Sequence, residues 1–307
     1  MSLTVVVMLL FLGWADATLA NEWRPHTSVY SYRVEPNSGK ASQQSNTVIG
    51  RFQEHKVREG ETFLDIARHY HLGYRELIEA NPKVDPWVPP VSLKIKIPSV
   101  WILPRGSRQG LVLNIPERRV YYYLSGSKVM TFALGIGREG RDTPPGKYWI
   151  GGKRVNPTWY VPIEIQREME FPRKVVPPGP DNPLGRYWMR LSATEYGIHG
   201  TNNPWAVGRD VTRGCIRLYP EDIDFLFPRV PPKTPVEVIY QYTKVGERDG
   251  KAYFQVYRTR GRNDQALLNA LIREIRSLNL VVDLRRVRQL LRKSTDGELI
   301  PLGSLDM

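Results

Sequence analysis

The sequence is poor in cysteine, and this shortage limits what the one thiol can be. Cys215 is the only Cys in 307 residues, so no disulfide can form within the chain. Three interpretations remain, namely a buried inert thiol, an intermolecular link or a reactive group. Its surroundings, Thr212-Arg213-Gly214-Cys215-Ile216-Arg217, are polar and rich in turn residues. They disfavour the inert thiol and indicate a reactive one.

The apolar run at the N-terminus is too short for a membrane span. It extends from Leu3 to Ala15, whereas a spanning helix needs about 20 apolar residues. Small residues follow at Ala15, Ala17 and Ala20, which predicts a signal peptide over 1–20 that is cleaved after Ala17 or Ala20. A Lys or Arg before the run is missing. A leader cysteine is also missing, which argues against a lipoprotein anchor.

Acidic residues are too few to balance the basic ones, and the formal net charge is +13. Such a charge predicts attraction to polyanions, among them nucleic acid, anionic lipid and a carboxylate-bearing cell wall. A nucleic-acid-binding motif and a single basic tract are both lacking, so nucleic acid is not the expected partner. The 25 Pro and 25 Gly residues predict a turn-rich, mainly β architecture.

The first part of the chain divides into a tail and a compact unit. Residues 21–46 are polar and predict a flexible linker. Residues 47–100 follow a strand–helix–helix–strand pattern, in which Thr62 caps a helix together with Asp65. The histidines at positions 69 and 71 lack a third ligand, and no metal site is expected.

This compact unit resembles a LysM domain in its strand, Gly60, Thr62, Ile66-Ala67, Leu77 and Asn81-Pro82. LysM domains bind glycans that contain N-acetylglucosamine, through the loops after the first strand and after the second helix. The resemblance implies that the glycan-binding residues here are Gly60, Glu61, Thr62, Phe63, Asn81 and Pro82.

Short strand-like segments separated by Gly and Pro turns then predict a sandwich or barrel over 105–242. Within it, residues 156–185 form a proline-rich excursion that is typical of a flap over a site. The remaining residues, 243–307, predict a small α/β subdomain with a strand at 252–257 and helices at 264–278 and 283–291. The amphipathic helices are expected to pack on the β domain.

His199 and Cys215 lie sixteen residues apart around this predicted core. A thiol beside an imidazole on an adjacent strand suits acyl transfer through a thioester, with Cys215 as nucleophile and His199 as base and later acid. Gly214 permits a tight turn in which backbone amides form an oxyanion hole. Arg213 and Arg217 would favour the thiolate. An incidental thiol and a core histidine are the alternative.

The segment HGTNNPWAVGRDVTRGCIRLYPEDIDFLF resembles the signature of the L,D-transpeptidases with a YkuD-type catalytic domain. The blocks GLVLNIPERRVYYYL, IGREGRDTPPGKYWI, PTWYVP and VVPPGPDNPLGRYWMRL match as well. Together with the LysM-like unit they resemble the Gram-negative envelope branch, which implies a periplasmic β-sandwich-like enzyme acting on peptidoglycan without a cofactor or metal.

The resemblance implies a role for each matching residue. Cys215 attacks the carbonyl of the third stem residue, a meso-diaminopimelate, and expels the terminal D-Ala. His199 is the base, the Gly200 carbonyl orients it, and the Gly214 and Cys215 amides form the oxyanion hole. Substrate-binding positions are Arg217, Arg213, Thr201, Asn202, Trp205 and Tyr187.

One position departs from the family pattern. The common motif is Ser/Thr-His-Gly-Cys, and Arg213 occupies the place of its histidine. The acyl acceptor stays open between a second stem peptide, which gives a 3→3 cross-link, a lysine of an outer-membrane lipoprotein or β-barrel, and water, which gives an amidase. A non-catalytic wall-binding protein is the alternative from another class. The sequence does not give the oligomeric state.

Overall fold

A computed structural model describes residues 26–34, 45–137, 143–168, 173–212, 214–258 and 263–304. The predicted signal peptide over 1–20 and Arg213 lie outside these described residues. Within the described ranges, no helix has the length and apolar character that crossing a membrane requires. The fold is mainly β, as predicted.

The N-terminal unit contains two antiparallel strand pairs and two short helices. A first strand, β1 (Tyr30–Ser31), precedes it. Its elements are β2 (Val48–Gly50), β3 (Gln53–Lys56), α1 (Phe63–His69), α2 (Tyr74–Ala80), β4 (Lys94–Ile97) and β5 (Val100–Ile102). β3 pairs with β4, and β2 pairs with β5. Thr62 caps α1 in the predicted capping box with Asp65.

The central domain holds most of the strands. Its first half comprises β6 (Gly110–Asn114), β7 (Arg119–Leu124), β8 (Lys128–Ala133), β9 (Ile136–Gly137), β10 (Gly146–Val155), β11 (Trp159–Tyr160), α3 (Ile163–Glu168) and β12 (Val175–Val176). Its second half comprises β13 (Tyr187–Leu191), β14 (Gly197–His199), a 3-10 turn (Pro204–Ala206), β15 (Asp210–Thr212), β16 (Ile216–Arg217), α4 (Pro220–Arg229) and β17 (Pro235–Ile239).

Nine strands form one sheet in the order β1-β8-β7-β6-β17-β10-β13-β14-β16. Side chains alternate between its faces, as the period of two requires. Leu111 and Leu113 face a core that also contains Ile223 of α4. Val112, between them, belongs to the core of the N-terminal unit, where it packs with residues such as Leu77. The N-terminal unit therefore covers the opposite face of the sheet.

The prediction of a flexible linker over 21–46 is wrong for the described residues 26–34. β1 extends the sheet by pairing with β8, through Tyr30 and Val129. His26 is buried, and its backbone N–H donates to Asp222 Oδ1 at 2.9 Å. Aromatic side chains contribute to this docking, because Tyr30 packs edge-on to Trp101. The composition of the segment did not reveal these contacts.

The C-terminal subdomain has its own core. Its elements are β18 (Thr243–Arg248), β19 (Lys251–Val256), α5 (Asp264–Ser277), α6 (Leu284–Lys293) and β20 (Ile300–Ser304). The three strands form an antiparallel sheet in the order β18-β19-β20. Leu271 of α5 and Leu291 of α6 pack with Phe254 of β19. The apolar faces of the helices therefore pack on this sheet, whereas packing on the central β domain was expected. α5 also contacts the end of the central domain, where Gln241 donates to Glu274 at 3.3 Å.

The proline-rich excursion over 156–185 is organised. β11 pairs with β12, and α3 lies between them. The buried side chain of Asn182 donates to the carbonyl oxygens of Pro157, Val176 and Pro177, at 2.8, 3.3 and 3.1 Å. One amide group thus holds both ends of the excursion together beside β13.

Candidate active site

The sheet register brings His199 and Cys215 to one face. β14 and β16 run parallel, with Ile198 opposite Ile216 and His199 opposite Arg217. The two isoleucines point into the core. Residues one position away point to the opposite face, so His199, Arg217 and Cys215 share that face. By the same register Cys215 lies opposite Gly197.

A backbone contact sets the tautomer of His199. Its Nδ1 lies 2.6 Å from the carbonyl oxygen of Gly200. A carbonyl oxygen only accepts hydrogen bonds, so Nδ1 carries the proton and Nε2 is left as an acceptor. This is the form that a general base must have. The sequence resemblance implies for the Gly200 carbonyl the role of orienting this imidazole.

An aromatic ring packs on the imidazole of His199, and two nearby glycines leave the space that the surrounding side chains occupy. Trp188 stacks on His199, with ring centroids 5.4 Å apart and an interplanar angle of 20°. A Cβ atom at Gly197 would lie 2.4 Å from a ring atom of Trp188. One at Gly200 would lie 3.0 Å from the Ile223 side chain. Glycine at Gly197 therefore makes room for the ring that supports the imidazole.

Both candidate catalytic groups are uncharged at neutral pH. Burial, followed by the nearby charge of Arg217, lowers the pKa of His199 from 6.5 to about 3, and hydrogen bonds with the backbone of Gly200 and Leu184 oppose this change. Cys215 keeps part of its accessible surface. Dense packing around the sulfur nevertheless raises its pKa from 9.0 to about 11. The site rests as a thiol and a neutral imidazole.

Arg217 favours the thiolate form of Cys215, as expected, but its effect is smaller than that of burial. Burial raises the pKa of Cys215, and a hydrogen bond with the backbone of Gly197 lowers it, as Arg217 does. Arg213 lies outside the described residues. A thiol that is protonated at rest needs a proton acceptor before it can act as a nucleophile.

The turn before Cys215 has an unusual backbone. Gly214 has φ 109°, a region that L side chains rarely adopt. Its carbonyl oxygen accepts a hydrogen bond of 2.5 Å from the hydroxyl of Thr143, which is itself buried. Tyr240 OH in turn donates to the Thr143 carbonyl at 3.1 Å. This chain of contacts fixes the position of the Gly214 carbonyl.

Arg217 is a half-buried cation whose Nε atom is itself buried and lacks a hydrogen-bond partner among the described residues. Burial lowers the pKa of its guanidinium. Its backbone forms two hydrogen bonds of 2.9 Å with Gly135. The side chain is thus held in place next to Cys215 and suits an anionic group of a ligand.

The other predicted substrate-binding residues differ in their accessibility. Thr201 is buried, and its hydroxyl donates to the Asn203 carbonyl at 3.2 Å. Asn202 donates to the Asp181 carbonyl at 3.0 Å and so joins this loop to the excursion. Trp205 is 44% exposed. Tyr187 stacks on Phe227 with centroids 4.3 Å apart.

The predicted glycan-binding residues separate into two groups. Gly60 and Pro82 are exposed, and Glu61 is half-buried with its carboxylate 2.8 Å from His55 Nε2. Thr62, Phe63 and Asn81 have structural contacts, because Thr62 caps α1, Phe63 is fully buried and Asn81 bonds the backbone of Leu77 and Lys96.

Sequence reasoning missed two residues that shape the site, Trp188 and Thr143. Trp188 adjoins the predicted Tyr187, and Thr143 lies in the matching block IGREGRDTPPGKYWI. Neither carries a signal of its own, because each acts through a contact with a distant part of the chain. In the described ranges, no group of three His, Cys, Asp or Glu side chains could hold a metal ion.

Comparison with known proteins gives consistent matches. The profile of the YkuD family, an L,D-transpeptidase catalytic domain, matches residues 108–238. The chain is 38% identical over 248 residues to the probable L,D-transpeptidase ErfK/SrfK of Escherichia coli K12, covering 78% of this chain and 77% of that protein. It is 39% identical over 222 residues to the probable L,D-transpeptidase YcfS of the same strain, covering 68% and 69%.

Solved structures match less closely. The catalytic domain of an Enterococcus faecium L,D-transpeptidase aligns at 21% identity with a TM-score of 0.35, covering 44% of this chain and all of that domain. L,D-transpeptidase 3 of Mycobacterium tuberculosis aligns at 20% identity with a TM-score of 0.35, covering 48% and 65%. The family assignment therefore depends on the sequence relatives.

Proposed function

The chain belongs to the L,D-transpeptidase family, and we propose that it transfers peptidoglycan acyl groups through a thioester on Cys215 in the periplasm. The observation that carries this proposal is the contact of His199 Nδ1 with the Gly200 carbonyl, at 2.6 Å. It leaves Nε2 as a base on the face of the sheet where Cys215 lies.

The first half-reaction forms the acyl-enzyme. Cys215 Sγ attacks the carbonyl carbon of diaminopimelate in a tetrapeptide stem while its proton moves to His199 Nε2. Backbone amides of the turn at Gly214 and Cys215 stabilise the oxyanion. The carbon–nitrogen bond to D-Ala then breaks, and the proton on Nε2 passes to the departing amine.

The second half-reaction returns the thiol. An acceptor amine attacks the thioester and gives its proton to His199, the carbon–sulfur bond breaks, and the sulfur regains the proton. Arg217 supports substrate binding, because its buried Nε suits a stem carboxylate. The cationic surface of the chain, with a net charge of +13, favours the same anionic polymer.

Export is part of the proposal. The apolar run from Leu3 to Ala15 and the small residues that follow support a signal peptide over 1–20. The N-terminal unit supports glycan binding through the exposed Gly60 and Pro82. The acceptor is a stem peptide or a lysine of an outer-membrane protein, and water would give an amidase.

Mass spectrometry of the purified protein with disaccharide-tetrapeptide tests this function. We expect release of D-Ala and a covalent adduct on Cys215, both lost in Cys215→Ala. Adding a lysine-terminated peptide to the same assay distinguishes a protein acceptor from a stem acceptor. A folded protein that releases no D-Ala with any acceptor would overturn the proposal and favour a wall-binding protein.

A further inference from the structure

The N-terminal unit contacts the chain on the upstream side of Cys215. Val207 and Gly208 lie against its second helix, where Tyr74 N–H donates to the Val207 carbonyl at 3.4 Å. A Cβ atom at Gly208 would lie 2.3 Å from the Tyr74 nitrogen and 2.4 Å from Gly73 Cα. The guanidinium carbon of Arg209 lies 4.0 Å from the centre of the Tyr74 ring. The two backbones thus touch without an intervening side chain.

The same unit contacts the chain on the downstream side. Tyr219 OH donates to the Leu72 carbonyl at 2.9 Å. Arg68 binds both carboxylate oxygens of Glu221, with Nε and one terminal nitrogen each at 2.9 Å. Both partners are nearly buried, at 13% and 7% exposure. A bidentate, desolvated pair of this kind fixes distance as well as orientation.

In the sequence, Cys215 lies about midway between these two sets of contacts. The strands on either side of it, β15 and β16, are short. β15 has three residues and β16 has two. Strands of this length supply few ladder hydrogen bonds and do not fix a turn by themselves. The contacts at 207–209 and 219–221 therefore add to the positioning that Thr143 and Gly135 provide through Gly214 and Arg217.

We propose that the N-terminal unit positions the nucleophile. Arg68 and Tyr74 are positioning residues, which act on Cys215 through Glu221 and Arg209. Glycan binding alone would not require the N-terminal unit to contact the chain on both sides of Cys215. The unit thus forms part of the catalytic framework, whatever glycan it also binds. This inference rests on the proposed function of Cys215.

The test uses the full-length protein and a glycan-free tetrapeptide as substrate, so that glycan affinity does not enter. In Arg68→Met and Glu221→Gln we expect kcat to fall about tenfold while KM stays nearly constant, because a misplaced nucleophile lowers the rate and not the binding. If the turn at Gly214 and Cys215 loosens, water also reaches the Cys215 thiol. Alkylation of Cys215 by iodoacetamide at pH 8 should therefore become faster as transpeptidation becomes slower.

Two matched controls accompany these variants. Lys94→Met removes an exposed ion pair with Glu54 in the same N-terminal unit and should leave both rates unchanged. Gly208→Ala, at φ 80°, should repeat the effect of Arg68→Met, whereas Gly126→Ala, at φ 68° with open space around its Cβ, should not. Arg68→Lys should restore part of kcat.

The outcomes separate the two proposals. Wild-type kcat and alkylation rates in Arg68→Met, Glu221→Gln and Gly208→Ala would overturn the positioning role, even if activity on intact cell walls fell. Absence of D-Ala release by the wild type would overturn the proposed function alone. The alkylation rates would still report on the position of Cys215.

Discussion

Trp188 and His199 lie side by side on neighbouring strands and stack with centroids 5.4 Å apart. The indole covers one face of the imidazole and excludes water from it, which contributes to the burial that lowers the pKa of His199. Gly197, which precedes His199 by two residues, leaves the space that this indole occupies. Three residues of two strands thus act as one unit.

Gly197→Ala should displace the indole. Its Cβ would lie 2.4 Å from the Trp188 ring, so the ring must move and release the imidazole. We expect kcat to fall at least about tenfold and the free energy of unfolding to drop by about 1–3 kcal/mol, measured by tetrapeptide turnover and urea titration. The control is Gly152→Ala, whose Cβ meets nothing within 4 Å. Equal activity of the two variants would contradict this role of Gly197.

The free thiol should titrate well above neutrality. Burial raises the pKa of Cys215 to about 11, so the thiolate fraction keeps growing through pH 9. We expect the rate of iodoacetamide alkylation to rise continuously from pH 7 to pH 10. A plateau near pH 7 would show instead a preformed thiolate–imidazolium pair. Mass spectrometry of the alkylated protein measures this rate directly.

Acid should destabilise the fold through its buried histidines. Burial is the largest cause that lowers the pKa values of His199 and His26 from 6.5 to about 3. The unfolded chain therefore binds protons that the folded chain does not, and stability is lost as pH falls from 6.5 towards 3. Each group contributes about 1.4 kcal/mol per pH unit in that window.

Urea titrations at pH 7, 5.5 and 4.5 measure this loss. His26→Asn lies outside the candidate catalytic site and should show a smaller dependence on pH than the wild type. The same dependence in both proteins would mean that His26 does not stay neutral in the fold.

A buried ion pair joins the central domain to the C-terminal subdomain. Lys244 Nζ lies 2.6 Å from Glu117 Oε1, and both side chains are fully buried. Tyr121 and Tyr257 donate to the same carboxylate oxygen, at 2.6 and 3.0 Å. Lys244→Met would leave Glu117 desolvated without its cation. We expect a loss of about 3–5 kcal/mol in the free energy of unfolding.

The exposed pair of Lys94 and Glu54 provides the comparison. Lys94→Met should change stability by less than about 1 kcal/mol, because solvent screens exposed pairs. Chemical denaturation measures both variants. A loss below 1 kcal/mol in Lys244→Met would mean that water reaches the buried carboxylate.

Local patterns predicted much of the secondary structure. The capping box at Thr62 and Asp65 is confirmed, as are the helices that begin at Asp264 and next to Asp283. Caps and amphipathic spacing are read from neighbouring residues, and so they are visible in the chain itself. The surface on which those helices pack depends on distant strands, and their apolar faces pack on the C-terminal sheet where the central β domain was expected.

The sequence alone determined the candidate chemistry. Residue type and spacing are enough to reveal a lone Cys215, a His199 upstream of it and a glycine turn between them. Tertiary structure decided the protonation state and the supporting contacts. Burial, which depends on residues far along the chain, outweighs the charge of Arg217 and keeps the thiol protonated. Long-range packing also turned Tyr30 and Ser31 into a sheet edge and placed the N-terminal unit against both flanks of Cys215.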